Sequence, residues 1–180
     1  MMLNFRWKNW VVPLYLLLAL LLDGTFSLNF QQIVHNTHVN ASLNLTMIGF
    51  VLLALDDDQN KKIIYLGLCF GLVSDWFYYG FLGYSLFLLP LTILAVQYIS
   101  KAVPFTFTAR LIVILLVTFC WQVYQFILYN FFGLGQVGLL DFITSGLPFS
   151  LVLSLILTIL TYAFWNHLIL KYPFFQVKVN

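Results

Sequence analysis

Asp75 is the residue whose setting raises a chemical question. It stands in a long apolar stretch, Ile63 to Tyr98, behind Gly67 and Gly71 at successive spacings of four, so the three share one face of a helix. A carboxylate at the centre of a membrane helix costs about 2.5 to 3.5 kcal/mol, which calls for an explanation. Asp23 interrupts an apolar run near the N-terminus, and Gln122 and Gln125 lie on adjacent turns of another. Asp75 is thirteen residues past Lys62, about 20 Å along a helix axis, and the other three count to a similar depth. The spacing predicts an outer-half polar layer of Asp23, Asp75, Gln122 and Gln125. Such a layer could line a substrate pocket, present a partner-binding face, or hydrogen-bond internally and fix the helix packing.

Other chemistry is sparse. The apolar segments hold no Ser/His/Asp set, no paired carboxylates and no HExxH motif, so no catalysis is expected. Gly133-Leu134-Gly135-Gln136-Val137-Gly138 matches GxGxxG by letter. A dinucleotide site needs a strand before that motif and a helix after it in a soluble βαβ unit, so no cofactor is expected. His35 and His38 have i, i+3 spacing, but the only further ligand in the exterior loops is a distant Asp141; they read as solvated loop histidines, with no metal. Asn40-Ala41-Ser42 and Asn44-Leu45-Thr46 are formal glycosylation acceptors and are taken as chance. Cys69 and Cys120 stand within apolar runs and read as buried small hydrophobes. A net charge of +2 is too small to imply nucleic-acid binding.

The elements that must carry these residues follow from composition. The chain is 62% hydrophobic and 8% charged, with a mean hydropathy of +0.96, a balance no soluble domain of this length needs. The apolar runs are continuous rather than alternating, which predicts an all-α integral membrane protein rather than a barrel. One domain, 1–180, is expected to hold six transmembrane helices over about 11–28, 40–55, 63–80, 84–99, 111–131 and 147–170. The first is read as uncleaved, with Pro13 tolerated in its first turn. The second is too short to span unless it recruits Asn40 to Asn44. With six spans, all eight basic residues fall on the terminal side, in the pairs Arg6 and Lys8, Lys61 and Lys62, Lys101 and Arg110, Lys171 and Lys178. The positive-inside rule then makes both termini cytoplasmic. Trp7, Trp10, Tyr98 and Tyr172 fit interfacial anchors, and Asp56 to Lys62 reads as a solvated cytoplasmic turn.

Gly67 and Gly71 form a GxxxG motif that lets another backbone approach, from within the chain or from a partner. With Asp75, then Leu82-Gly83 and a following apolar helix, the spacing resembles the central signature of the bacterial rod shape-determining MreD family. Length, six spans and cytoplasmic termini are also similar to that family. The resemblance implies a non-enzymatic, multi-pass subunit of the elongation machinery in the bacterial cytoplasmic membrane. It would sit beside bitopic MreC and help couple MreB filaments to peptidoglycan synthases. Gly67, Gly71, Asp75, Leu82 and Gly83 are the positions carried over, as partner-binding or helix-packing residues. The rival expectation is the substrate-binding subunit of an energy-coupling-factor vitamin transporter, a family similar to MreD in architecture. Its members often carry an AxxxA-type motif on the first helix, where this chain has only Ala19.

Overall fold

The computed structural model describes residues 3–33, 44–57, 59–79, 83–102, 104, 106–133 and 138–171. All regular structure among them is helical. Helix α1 (Leu3–Ile33) is followed by α2 (Leu45–Asp56) and α3 (Lys62–Ser74), and α3 passes into a π-helical turn, Asp75–Tyr79. Helices α4 (Ser85–Ser100) and α5 (Phe107–Phe131) come next. A helical turn at Leu139–Asp141 and a second π turn, Phe142–Gly146, then lead into α6 (Leu147–Lys171).

The segments Phe107–Leu128 and Phe142–Phe164 are long and apolar enough to cross a membrane, with mean hydropathies of 2.2 and 2.1. Their outward faces carry Ile112, Leu116, Val152, Ile156 and Leu160, which supports membrane association. The short helix α2 has the opposite character. Every residue from Leu45 to Leu55 is buried, and the helix packs against α1, α3, α4, α5 and α6. It is apolar on all sides because it has no outer side. Its Ile48, Phe50, Leu52 and Leu53 join Leu16, Ile93 and Ile114 in the core.

Helix α6 approaches this centre through Ser150, Ser154 and Thr158, each 1% exposed and spaced by four. Ser150 donates to the Gly146 carbonyl (2.9 Å) and Thr158 to that of Ser154 (2.6 Å). With Ser154 donating to Leu151 (2.9 Å), all three hydroxyls are satisfied by carbonyls three or four residues earlier in the chain, and the small side chains allow close packing.

Three expectations are corrected. Pro13 is not in a first turn: α1 begins at Leu3, so the proline lies inside the helix, where it removes one backbone hydrogen bond. Cys69 and Cys120 are exposed, not buried. In a bundle whose outward faces are themselves apolar, an apolar context does not distinguish inside from outside. The Asp56 to Lys62 turn is also not simply solvated. Asp56 pairs with Arg110, which is itself buried. Asn60 is buried and donates to the Asp57 carboxylate (3.0 Å), and the Gln97 amide donates to the carbonyls of Asp57 and Asn60 (3.3 Å each). These bonds tie the α2–α3 turn to the end of α4 and the start of α5. Lys61, Lys62 and Lys101 remain exposed around it.

Helix α2 starts after Asn44, whose φ of 53° places it in the left-handed region, so helical geometry does not run back through that residue. Residues 40–43 of the expected second span lie outside the described residues.

Candidate functional site

Asp75 is completely buried, and the structure gives its carboxylate a definite occupation. The oxygens accept the backbone N–H groups of Gly83 (2.8 Å), Ser85 (2.6 Å) and Leu86 (3.1 Å). These are orphan amides at the beginning of α4, which no intrahelical carbonyl can satisfy. Asp75 therefore caps a helix other than its own. A carboxylate is suited to this, because it accepts several N–H bonds and its charge opposes the positive end of the helix dipole.

Local geometry explains how Asp75 reaches that position. Winding changes from α to π at Asp75 itself, where a widened turn redirects the side chains that follow. Gly71, one turn earlier, brings the α3 backbone against the start of α4. A methyl group at Gly71 would lie 2.7 Å from the Ser85 carbonyl oxygen and 2.8 Å from the Leu86 Cα. Gly83 returns the chain with φ +117°, a conformation open to glycine and strained for other residues. Gly67 is less constrained by backbone: a methyl there would meet the end of the Ile93 side chain, and Pro90 packs nearby. Gly67, Gly71, Asp75 and Gly83 are thus brought together in one hairpin, with the GxxxG face turned inward onto α4. Leu82 lies outside the described residues.

Asp23 plays the same part for α2. Its two oxygens accept the N–H groups of Leu45 and Thr46, both at 2.8 Å. Each of the first two hairpins therefore begins its second helix on a carboxylate lent by the first. Tyr78, in the π turn, joins the two arrangements: its hydroxyl donates to the Leu20 carbonyl of α1 (3.0 Å), and its ring occupies the space over Gly24 where a side chain would otherwise be.

The α5 residues complete the level. Gln122 is buried and Gln125 half-buried. Trp121 is 6% exposed and meets Tyr84, the residue just before α4, edge-on at 6.4 Å between ring centroids. Tyr124 lies 6.1 Å from the same ring.

Because Asp56, Gln97 and Arg110 meet around one turn, heights can be counted from it. Leu45 is about 17 Å from Asp56, Ser85 about 18 Å from Gln97, and Trp121 about 17 Å from Arg110, at 1.5 Å per residue. Asp23 and Asp75 join this level through the amides they hold. Counted this way, Asp23, Asp75 and Gln122 come to similar heights, and the two carboxylates are engaged by helix amides rather than by each other.

Sequence reasoning missed Gly24, Tyr78, Trp121, Asn44 and the Gln97 and Arg110 ties. The Asp23-Gly24 pair was a usable signal, matching a carboxylate to a glycine on the next position. The aromatic partners had no spacing to reveal them. His35 and His38, Asn40 to Ser42, and 134–137 of the glycine-rich match lie outside the described residues. Asn44 of the second formal acceptor is buried, a position closed to a glycan. Among the described residues no three His, Cys, Asp or Glu side chains gather as a metal site.

What fold and site define is a helical bundle with two membrane-length apolar helices and cross-helix carboxylate caps. No protein-family model matches the chain, and no curated protein or solved structure matches it either.

Proposed function

We propose that the protein is a six-span scaffold of the bacterial cytoplasmic membrane, with cytoplasmic termini, acting as an MreD-type subunit of the elongation machinery. In this reading it stands beside MreC and helps couple MreB to peptidoglycan synthases without performing catalysis. The observation that carries the reading is the α3–α4 hairpin. Gly71, Asp75 and Gly83, which bear the resemblance, work as one device that brings α3 against α4 and caps the start of α4. Trp76 and Phe77, in the π turn beside that device, are 72% and 77% exposed, an arrangement suited to contact with neighbouring membrane components. Orientation is supported by the inner turn, where exposed Lys61, Lys62 and Lys101 gather near Arg110.

A second reading, the substrate-binding subunit of a vitamin transporter, is favoured by the shared polar level of Asp23, Asp75 and Gln122. One experiment separates the two. Deleting the gene from its host should round the cells and disturb wall insertion. Normal shape with defective vitamin uptake would overturn the scaffold and favour the transporter subunit.

A further inference from the structure

We propose that the outer ends of α2 and α4, together with the middle of α5, form a binding site for a neutral group bearing a carbonyl oxygen, held by Asn44 and Trp121. The proposal goes beyond the scaffold reading and does not depend on it. It draws on the six-span reading only for the side to which the site opens.

The first observation is a pair of donors. The Asn44 side-chain amide nitrogen and the Trp121 indole nitrogen are buried, in residues 8% and 6% exposed, and neither has a hydrogen-bond partner among the described residues. A buried donor left unpaired costs about 1 to 3 kcal/mol, so two at one level require a common reason.

The second observation is their placement. Asn44 stands at the N-terminus of α2, and Trp121 packs on Tyr84 at the N-terminus of α4. Helices α2, α4 and α5 pack against one another, and the counts above put all three positions about 17 to 18 Å from the inner turn. Both helix N-termini point the same way, and Asp23 and Asp75 already hold their first amides, which leaves the two side-chain donors as the groups still to be satisfied. Above this level α5 continues from Trp121 to Phe131, about 15 Å further, and α1 continues a similar distance from Asp23 to Ile33. The two donors thus stand at a height beyond which both α1 and α5 continue.

The third observation is charge, and it selects the ligand. The lysines and arginines among the described residues stand at the other end of the helices, so among the described residues no cation at this level neutralises an anion, which would also meet Asp23 and Asp75. A cation would meet only donors and carboxylates whose oxygens are already engaged by amides. A neutral acceptor meets neither objection. A carbonyl has two lone pairs, enough for both donors. It could belong to a soluble amide or to the ester of a membrane lipid.

The test uses the full-length protein in lipid nanodiscs, isotope-labelled at the indole nitrogens of its five tryptophans. Trp121→Phe removes one indole N–H resonance and so assigns it. Nicotinamide probes the soluble source and dioctanoylglycerol the lipid source. One of them should move the Trp121 resonance downfield in a saturable way, and the arm that responds names the source. Asn44→Leu should weaken that response at least about fivefold, the scale of losing one neutral hydrogen bond, while Tyr98→Phe, on the exposed face of α4 beside the inner turn, leaves it unchanged. Should Asn44→Leu not fold, Asn44→Asp keeps the shape and replaces the donor by an acceptor, with the same loss expected. A Trp121 resonance that neither probe moves in folded protein overturns the proposal, as does an undiminished response in both Asn44 variants. Neither result touches the cell-shape test.

Discussion

At the scale of the residue, two glycines with the same place in a motif carry different burdens. Gly71 faces backbone at under 3 Å from an added methyl, whereas Gly67 faces a flexible isoleucine end. Gly71→Ala should therefore destabilise the folded protein by about 1 to 3 kcal/mol, the usual range for overpacking, and Gly67→Ala by less. Unfolding in mixed micelles of increasing denaturing-detergent fraction measures both, and equal effects would contradict the geometry. Gly71→Leu should separate α3 from α4 outright. Normal folding of that variant, with undiminished copurification of a bitopic partner, would rule out packing at Gly71. Asp75→Asn keeps the size but turns an acceptor into a donor facing amide donors. It should cost about 3 kcal/mol or more, since charge-assisted bonds contribute about 1.5 to 3 kcal/mol each and their loss strands buried groups. A variant as stable as the parent would show that the cap contributes nothing to the fold.

At the scale of the element, the π turn at Asp75–Tyr79 is where separate parts are joined. Asp75 holds α4, and three residues later Tyr78 reaches α1 beside the carboxylate that holds α2. Removing the Tyr78 hydroxyl should therefore weaken the Asp23 cap as well as the bond itself. Tyr78→Phe and Asp23→Asn, singly and together, should show an interaction energy of about 0.5 kcal/mol or more in a double-mutant cycle, and strict additivity would show the elements to be independent. Much of this level was legible before any coordinates. The helical class and the closeness signalled by the GxxxG motif follow from apolar run length and four-residue spacing. The caps were not legible, because a carboxylate that bonds amides of another helix leaves no local pattern. The outward-facing Cys69 and Cys120 were misread for a related reason: apolarity marks both the core and the lipid-facing surface, and only packing separates them.

At the scale of the whole molecule, the helices differ in height although their inner ends are level. From the inner turn α5 rises about 32 Å between Arg110 and Phe131, close to a full hydrocarbon thickness. Helix α2 reaches about 17 Å and stops on Asp23. Helix α2 stays buried because longer neighbours pack beside it and a carboxylate caps its start within the bundle. This division of labour makes a claim about topology. Lys61, at the inner turn, and Leu139, beyond the outer end of α5, are both exposed and should lie on opposite sides of the membrane. After Cys69 and Cys120 are replaced by alanine, Lys61→Cys and Leu139→Cys each provide a single thiol. A membrane-impermeant maleimide should label Leu139→Cys in intact cells and Lys61→Cys only after permeabilisation. The reverse pattern would invert the orientation and the positive-inside argument with it. Labelling of both from one side would remove the span α5 is taken to make, and the membrane-scaffold reading would fall.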